Sequence, residues 1–328
     1  MILVTGAAGF IGSQLTNSLL IDGHEVIGVD SINSFYDPKL KLSRINWIKK
    51  NNIGKNFKFF EYDLADLQSL EKIFKKYDVH AVINLAAQAG VRYSAINPQA
   101  FINSNIIGFH NIINLTQKYR VKNFLYASSS SVYGENKGIC TLNCNTSKPL
   151  SLYAATKKSN EIMSHSYSEM FEMKTVGFRF FTIYGPMGRP DMAYYKFTKS
   201  ILNNVAIDLY NHGNMKRDFT YIDDAVWAVK TALQKCMNDE LLMNESKSKI
   251  FNIGRNEPID LIRFINLIEN LCNKKAIRIN KANQAGDVPS TCADISISKQ
   301  ELGYNPAIGI EEGLKRFVNW YLKHKKTL

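Results

Sequence analysis

Two short stretches hold the side chains with the strongest chemical promise. In YAATK, Tyr153 and Lys157 stand four residues apart, which puts both on one face of a helix beginning near Leu152. A phenol is a poor base at neutral pH, but an ammonium beside it favours the phenolate and makes it a usable general base. In ASSSSVYGE, four serines, Ser128 to Ser131, follow the apolar run NFLYA and precede a Val-Tyr-Gly turn. A hydroxyl at such a strand end could relay or position a proton for the tyrosine. Taken alone, Tyr-x-x-x-Lys is a common pattern on solvated helix faces, so its weight depends on its surroundings.

A third stretch supplies those surroundings. VTGAAGFIG sets Gly6, Gly9 and Gly12, with Phe10 and Ile11 between them, at the junction of an apolar strand and a helical pattern. The glycines permit a tight turn and close backbone approach, while the helix N-terminus favours a pyrophosphate. GVD then ends the next strand pattern at Asp30. A carboxylate there can bond both ribose hydroxyls of an adenine nucleotide and repel a 2′-phosphate. No Arg follows it, so NAD is expected over NADP.

The elements that must position these residues can be read from apolar periodicity. ILVTG, HEVIGVD, NFKFFEYD, VHAVINLAA, NFLYASSS and KTVGFRFF read as strands, several nearly all apolar, as strands buried on both faces should be. Between them Ile11, Leu15 and Leu19, and later Ile102, Ile106, Phe109 and Ile113, fall at helical spacing. Such alternation predicts an α/β fold: a Rossmann-type, doubly wound parallel sheet with helices on both sides. After residue 183 the texture changes to the turn-rich IYGPMGRPDM, a helix in YYKFTKSILNN, short strands, a loop in YNHGNMKRDFT and a helix in IDDAVWAVKTALQK. The expected division is an NAD-binding domain over 1–183, with a returning segment near 221–256, and a smaller C-terminal α/β substrate lobe mainly over 184–328.

Bulk composition narrows the classes. A chain of 328 residues, 45% hydrophobic, suits one large domain or one domain with a smaller partner. No apolar run approaches the roughly 20 residues of a membrane helix. A strand pattern starting at residue 2 leads us to expect no targeting segment, and hence a cytoplasmic protein. The five cysteines are scattered, and no second Cys or His pair joins Cys140 and Cys144 into a zinc pattern, so no metal is expected. The net charge of +12 is spread through IKKNNIGKNFK, IFKKY, TKKSN and KHKK rather than along one stripe. That distribution points to a solvated basic surface, not nucleic-acid binding, though it favours a polyanionic substrate.

Over nearly its whole length the chain resembles the extended short-chain dehydrogenase/reductases, and more closely their nucleotide-sugar epimerases. The resemblance rests on TGAAGFIG, YDL, NLAAQAGVRYS, SSSSVYG, YAATK, RFFTIYGP, RDFTYIDD and QAGDVPST. It implies that Ser129 pairs with Tyr153, that Asp63 and Leu64 flank the adenine, that Leu85, Ala86 and Ala87 line the cofactor cleft, and that Asn105 lies near the Ser129 loop. In the second lobe it assigns Asp287 to the uridine ribose. Arg217 has the forked geometry that suits a diphosphate. Gln284 stands where many galactose-type epimerases have Arg, which removes one phosphate partner. The family's four-helix dimer implies a homodimer through helices near 97–118 and 151–171, whose apolar surplus includes Ile112, Leu115, Met163, Tyr167 and Met170.

The subfamily can be argued from what is missing. The related 4,6-dehydratases carry Asp-Glu before Val-Tyr-Gly, and the glucuronate decarboxylases a Glu. Here those positions are Ser130 and Ser131, with no comparable acid or base strength. GRPDMA, which includes Arg189, and Thr182 in RFFTIYG resemble the UDP-glucuronate 4-epimerases, where short hydroxyls can donate to a carboxylate without titrating. The expectation is therefore interconversion of UDP-glucuronate and UDP-galacturonate with tightly held NAD. The alternatives are a 4-epimerase of UDP-glucose or UDP-N-acetylhexosamines, a UDP-glucuronate decarboxylase, and a non-catalytic NAD-binding protein, which would have no need of Ser129, Tyr153 and Lys157.

Overall fold

The computed structural model describes residues 1–52, 55–136, 138–241, 247–282 and 288–325. The six apolar runs form β1 (Ile2–Thr5), β2 (Val26–Asp30), β3 (Phe57–Glu61), β4 (Ala81–Asn84), β5 (Asn123–Ser129) and β6 (Lys174–Phe180). Later come β7 (Thr182–Tyr184), β8 (Ile207–Tyr210), β9 (Lys216–Tyr221), β10 (Ser248–Ile253), β11 (Pro258–Asp260) and β12 (Arg278–Lys281). Seven of these make one parallel sheet in the order β10-β6-β5-β4-β1-β2-β3. The chain reverses direction across the sheet between β1 and β4, and in such folds ligands sit at the carboxyl ends of the strands beside that switch.

Residue type explains the burial. Every residue of β1, β2 and β4 is buried, as strands covered on both faces require. Strand β3 lies at the sheet edge, is only half-buried, and so tolerates Lys58 and Glu61. Helix α1 (Phe10–Ile21) follows the glycine-rich turn, and α2 (Pro38–Asn51) follows β2. Asp37 caps α2 by accepting from the Lys39 N–H at 2.9 Å, and Pro38 sits in the first turn, where its missing N–H is harmless.

The chain returns to the first lobe after visiting the second. Helix Ile222–Met237 packs against α1, and β10 then pairs with β6 in parallel. The second lobe holds the β11-β9-β7 sheet and the β12-β8 pair. One core runs from the α1 face of the main sheet into this lobe, and the other lies beneath the helices of the opposite face.

Two sequence expectations change. The YNHGNMKRDFT stretch is not one loop: Tyr210 ends β8, β9 begins at Lys216, and only the turn between them is irregular. Phe219, Thr220 and Tyr221 are buried there because β9 is flanked by β7 and β11. Ile112 and Leu115 are also not surface surplus, since both are fully buried beneath the sheet. Met163 and Tyr167 pack partly against the same core, whereas Met170 is exposed, together with Ile107, Ile162 and Phe171. Among the described residues, no helix is long and apolar enough to cross a membrane.

Candidate active site

A cleft of about 720 Å³ runs along the carboxyl ends of the main sheet and under the second lobe. At one end, the turn after β1 threads Gly6 through the left-handed region at φ 70°. A Cβ on Gly6 would approach the Ala86 amide nitrogen to 2.7 Å, and one on Gly12 would run into the Gly6 carbonyl. Helix α1 opens with Gly9 as its N-cap, without a capping side chain and without an acidic residue in its first turn. Backbone N–H groups at a bare helix start therefore face the cleft beside Phe10 and Ile11. This cradle fits the pyrophosphate of a dinucleotide.

Asp30 closes β2 at the cleft wall and is largely buried. Its carboxylate accepts the Ala8 N–H at 3.1 Å and the Ile32 N–H at 2.9 Å. Asp63, Leu64, Leu85, Ala86 and Ala87 line the same end. Lys41 also lines it, and the sequence reading missed that residue. Its ammonium lies 3.6 Å from Asp30 and donates to Asn33 at 2.9 Å. Lys41 is not a chain neighbour of Asp30 but returns to it from the next helix, α2. Asn105 is the candidate that does not reach the cleft surface. It is buried in a π-helical turn, Ile102–Gly108, where its side chain accepts the Gln88 N–H at 2.8 Å and donates to the Gln88 carbonyl and the Thr156 hydroxyl, each at 3.0 Å.

At the centre, helix Leu152–Phe171 starts at Ser151, whose hydroxyl caps the Ala154 N–H at 3.1 Å. Tyr153 and Lys157 both face the cleft from its first turns. Lys157 is buried, and its ammonium donates to the Ala127 carbonyl near the end of β5 at 2.8 Å. Burial pushes its pKa down to about 7. Tyr153 is half-buried by area because it faces the cleft, but protein walls it elsewhere. Burial raises its pKa above the usual phenol value, while the Ser129 hydroxyl and the Arg189 guanidinium pull the other way.

The four serines divide their work. Ser128 lies on the cleft wall, and its hydroxyl donates to the buried Glu161 at 2.6 Å. Glu161 feels burial upward, but the Arg179 guanidinium, bonded at 2.8 and 2.9 Å, holds its carboxyl below the usual carboxylate range. Ser129 accepts the Ser131 N–H at 3.1 Å, which leaves its hydroxyl proton free to meet Tyr153. Ser130 and Ser131, in a short 3-10 turn, line the cleft with Thr182.

Arg189 also lines this end, and its guanidinium is gripped by Asp191 at 3.0 and 2.5 Å. Asp191 was not singled out from the sequence, although Arg-x-Asp in GRPD is a local signal for such a pair. Arg217 projects from β9 at the far end, donating to the Lys216 and Pro289 carbonyls at 2.9 and 3.3 Å. That ties β9 to the segment carrying Ser290 and Thr291, both on the cleft wall. Asp287 and Gln284 lie outside the described residues.

Comparisons with known proteins place the whole chain among its relatives. The family described as GDP-mannose 4,6 dehydratase matches residues 3–317. The protein CapI of Staphylococcus aureus is 47% identical, over 99% of this chain and 99% of its own. UDP-glucuronate 4-epimerase 4 of Arabidopsis thaliana is 40% identical, over 98% of this chain and 75% of its own. The crystal structure of UDP-glucuronic acid 4-epimerase from Bacillus cereus, in complex with UDP-glucuronic acid and NAD, superposes with a TM-score of 0.89 at 32% identity. That match covers 98% of this chain and 99% of the other.

Proposed function

The chain belongs to the GDP-mannose 4,6 dehydratase family, and from that premise we propose that it is an NAD-dependent UDP-glucuronate 4-epimerase, interconverting UDP-glucuronate and UDP-galacturonate through a 4-keto sugar. The observation that carries the reading is the company Tyr153 keeps. Ser129 interacts with it, Lys157 lines the cleft one helical turn further on, and the nearby wall is made of the hydroxyls of Ser130, Ser131 and Thr182 with the Arg189 guanidinium. Elimination of water, the chemistry in the family's name, needs a strong acid and base at 130 and 131, which serines do not supply.

Gly6, Gly9, Phe10, Ile11 and Gly12 hold the NAD pyrophosphate at the start of α1, with Asp30 and Lys41 at the adenosine ribose and Asp63 and Leu64 at the adenine. Leu85, Ala86 and Ala87 wall the cofactor, and Asn105 acts from behind by fixing Gln88. When bound, NAD supplies the two-electron acceptor and donor for sugar carbon 4. Tyr153 removes the 4-hydroxyl proton, Ser129 positions that proton's path, and Lys157 steadies the phenolate. After the keto-sugar turns over in the site, Tyr153 returns the proton. Arg217 and Asp287 take the UDP diphosphate and ribose.

A carboxylate beta to a ketone is prone to losing carbon dioxide when the breaking bond aligns with the carbonyl π-system. Ser130, Ser131, Thr182 and Arg189 hold it out of that alignment, with Arg189 exchanging Asp191 for the substrate. We read residues 1–183 with 221–256 as the cofactor domain and most of 184–328 as the sugar-nucleotide lobe. The exposed Ile107, Ile162, Met170 and Phe171 form a homodimer face, and the protein works in the cytoplasm on polysaccharide precursors. Product analysis after separate incubation with UDP-glucuronate, UDP-glucose and UDP-N-acetylglucosamine tests the activity. Conversion confined to the uronate is expected, and faster turnover of UDP-glucose would sink the reading.

A further inference from the structure

Arg44 lies on α2, one turn beyond Lys41, has been given no chemical role above, and is 0% exposed. A cation so deep in a protein needs an anion or a full set of acceptors. A guanidinium offers five N–H donors in a rigid planar fork. The Arg44 Nε donates to the Met187 carbonyl at 3.0 Å. Nη2 donates to the same carbonyl at 2.6 Å and to that of Gly188 at 3.1 Å. Nη1 donates to the Ala8 carbonyl at 3.0 Å and to the Tyr36 hydroxyl at 2.6 Å. Every donor has an oxygen partner, and all of those oxygens belong to neutral groups.

These partners come from three segments that each contribute neighbouring residues to the cleft wall. Ala8 is in the glycine-rich turn after β1, and Tyr36 is in the loop between β2 and α2, with its ring 5.5 Å from the Arg44 guanidinium. Met187 and Gly188 immediately precede Arg189. Met187 sits at φ 60°, a left-handed backbone that a side chain other than glycine seldom adopts, and two Arg44 donors converge on its carbonyl. From the opposite side, the Arg189 N–H donates to the Tyr194 hydroxyl at 3.1 Å. The Arg189 guanidinium lies 5.8 Å from the Phe35 ring, on the same loop as Tyr36.

We propose that Arg44 is a positioning residue that joins the dinucleotide turn to the loop carrying Arg189, so that one side chain shapes the cofactor cradle and sets preference for a uronate. The proposal rests on the reading that Arg189 and Thr182 face the substrate carboxylate. Lysine cannot substitute, because a point ammonium lacks the planar fork that reaches Ala8, Tyr36 and the 187–188 carbonyls together. Tyr194 acts on the same loop without touching the dinucleotide turn, which separates the two halves of the effect.

The test compares wild type, Arg44→Lys and Tyr194→Phe. It measures the Kd of UDP-glucuronate against that of UDP-glucose by calorimetry, the NAD retained through gel filtration, and the far-UV spectrum as a check of folding. For Arg44→Lys the preference for UDP-glucuronate falls about tenfold or more and bound NAD is lost; losing a hydrogen bond that orients a charge is of that size. Tyr194→Phe lowers the preference while NAD retention stays at the wild-type level. A folded Arg44→Lys that loses NAD with an unchanged Kd ratio overturns the proposal, since loosening of the fold alone would not alter sugar choice. Should Arg44→Lys fail to fold, Tyr194→Phe decides, and an unchanged ratio there is equally fatal. Wild type that binds UDP-glucose better than UDP-glucuronate would defeat the functional reading itself, and this inference with it.

Discussion

The two ends of the cleft are built from different material. The dinucleotide end is mostly backbone: a turn through Gly6 at φ 70°, a bare helix start at Gly9, and small residues at Ala86 and Ala87. The sugar end is mostly side chain, with Ser129, Ser130, Ser131, Thr182, Tyr153 and Arg189 around one space. Backbone donors cannot be exchanged without changing the path of the chain, so the first end is rigid in what it accepts. Side chains change one at a time, so specificity for the sugar can drift while the cofactor stays fixed.

The comparison meets at Tyr153, where the largest effect is expected. Tyr153→Phe should lower turnover by about 10²–10⁴-fold, the usual contribution of a general base, while UDP affinity is kept. Stopped assays with UDP-glucuronate and a UDP binding isotherm would check both halves, and a variant within a few-fold of wild type would remove Tyr153 from the chemistry.

One substitution at each end sharpens the contrast. Gly12→Ala sets a Cβ against the Gly6 carbonyl, so the purified protein should lose its NAD. Thr182→Ala should leave NAD content unchanged and weaken handling of the uronate by roughly 10- to 100-fold, as for a lost hydrogen bond to a charged group, with some UDP-pentose leaking out. Nucleotide content by absorbance and products by chromatography would show the split. If both variants lost NAD, or Thr182→Ala slowed UDP-glucose equally, the two ends would not be separable.

A smaller effect belongs to Lys157, which lies at the seam. Burial holds its folded pKa at about 7, below the ordinary lysine value of 10.5. Between those values the unfolded chain carries a proton that the folded chain does not, so the stability penalty is fully present below pH 7 and is relieved as pH rises toward 10.5. Relative to Lys157→Met, nucleotide-free wild type should therefore gain stability from pH 7 to 9, by an amount on the order of 1 kcal/mol per pH unit. Denaturation curves for both proteins across that range check this, and a stability difference that stays constant with pH would show that burial does not depress this lysine.

The contrast in material also explains what could be read in advance. A backbone path through the left-handed region leaves its mark as glycine, and a helix face leaves its mark as spacing, so Gly6, Gly12, Tyr153 and Lys157 were legible. The parallel sheet was legible because β1, β2 and β4 are mostly apolar. Lys41 and Arg44 were not, because α2 reads locally as a basic surface helix. Their burial comes from contacts that are far apart in sequence, including the Arg44 bond to Met187 across 143 positions. Asn105 was placed near the site only by the family resemblance, and the fold shows it bonded to Gln88 from behind. The β9 strand was hidden among turn-forming residues, since pairing with β7 and β11 decides it.

The return of β10 to the main sheet has a consequence for synthesis. Strand β6 is complete at Phe180, but its neighbour spans Ser248–Ile253. While the ribosome makes the intervening segment, β6 is an open edge of apolar sheet, the kind of surface on which nascent chains pair wrongly with one another. The dinucleotide half therefore cannot finish before the first part of the sugar lobe, from β7 to β9, has been made. A chain stopped near residue 183 would be a sheet with an unprotected flank, and in the finished protein the two lobes are laced together by three passages of the polypeptide.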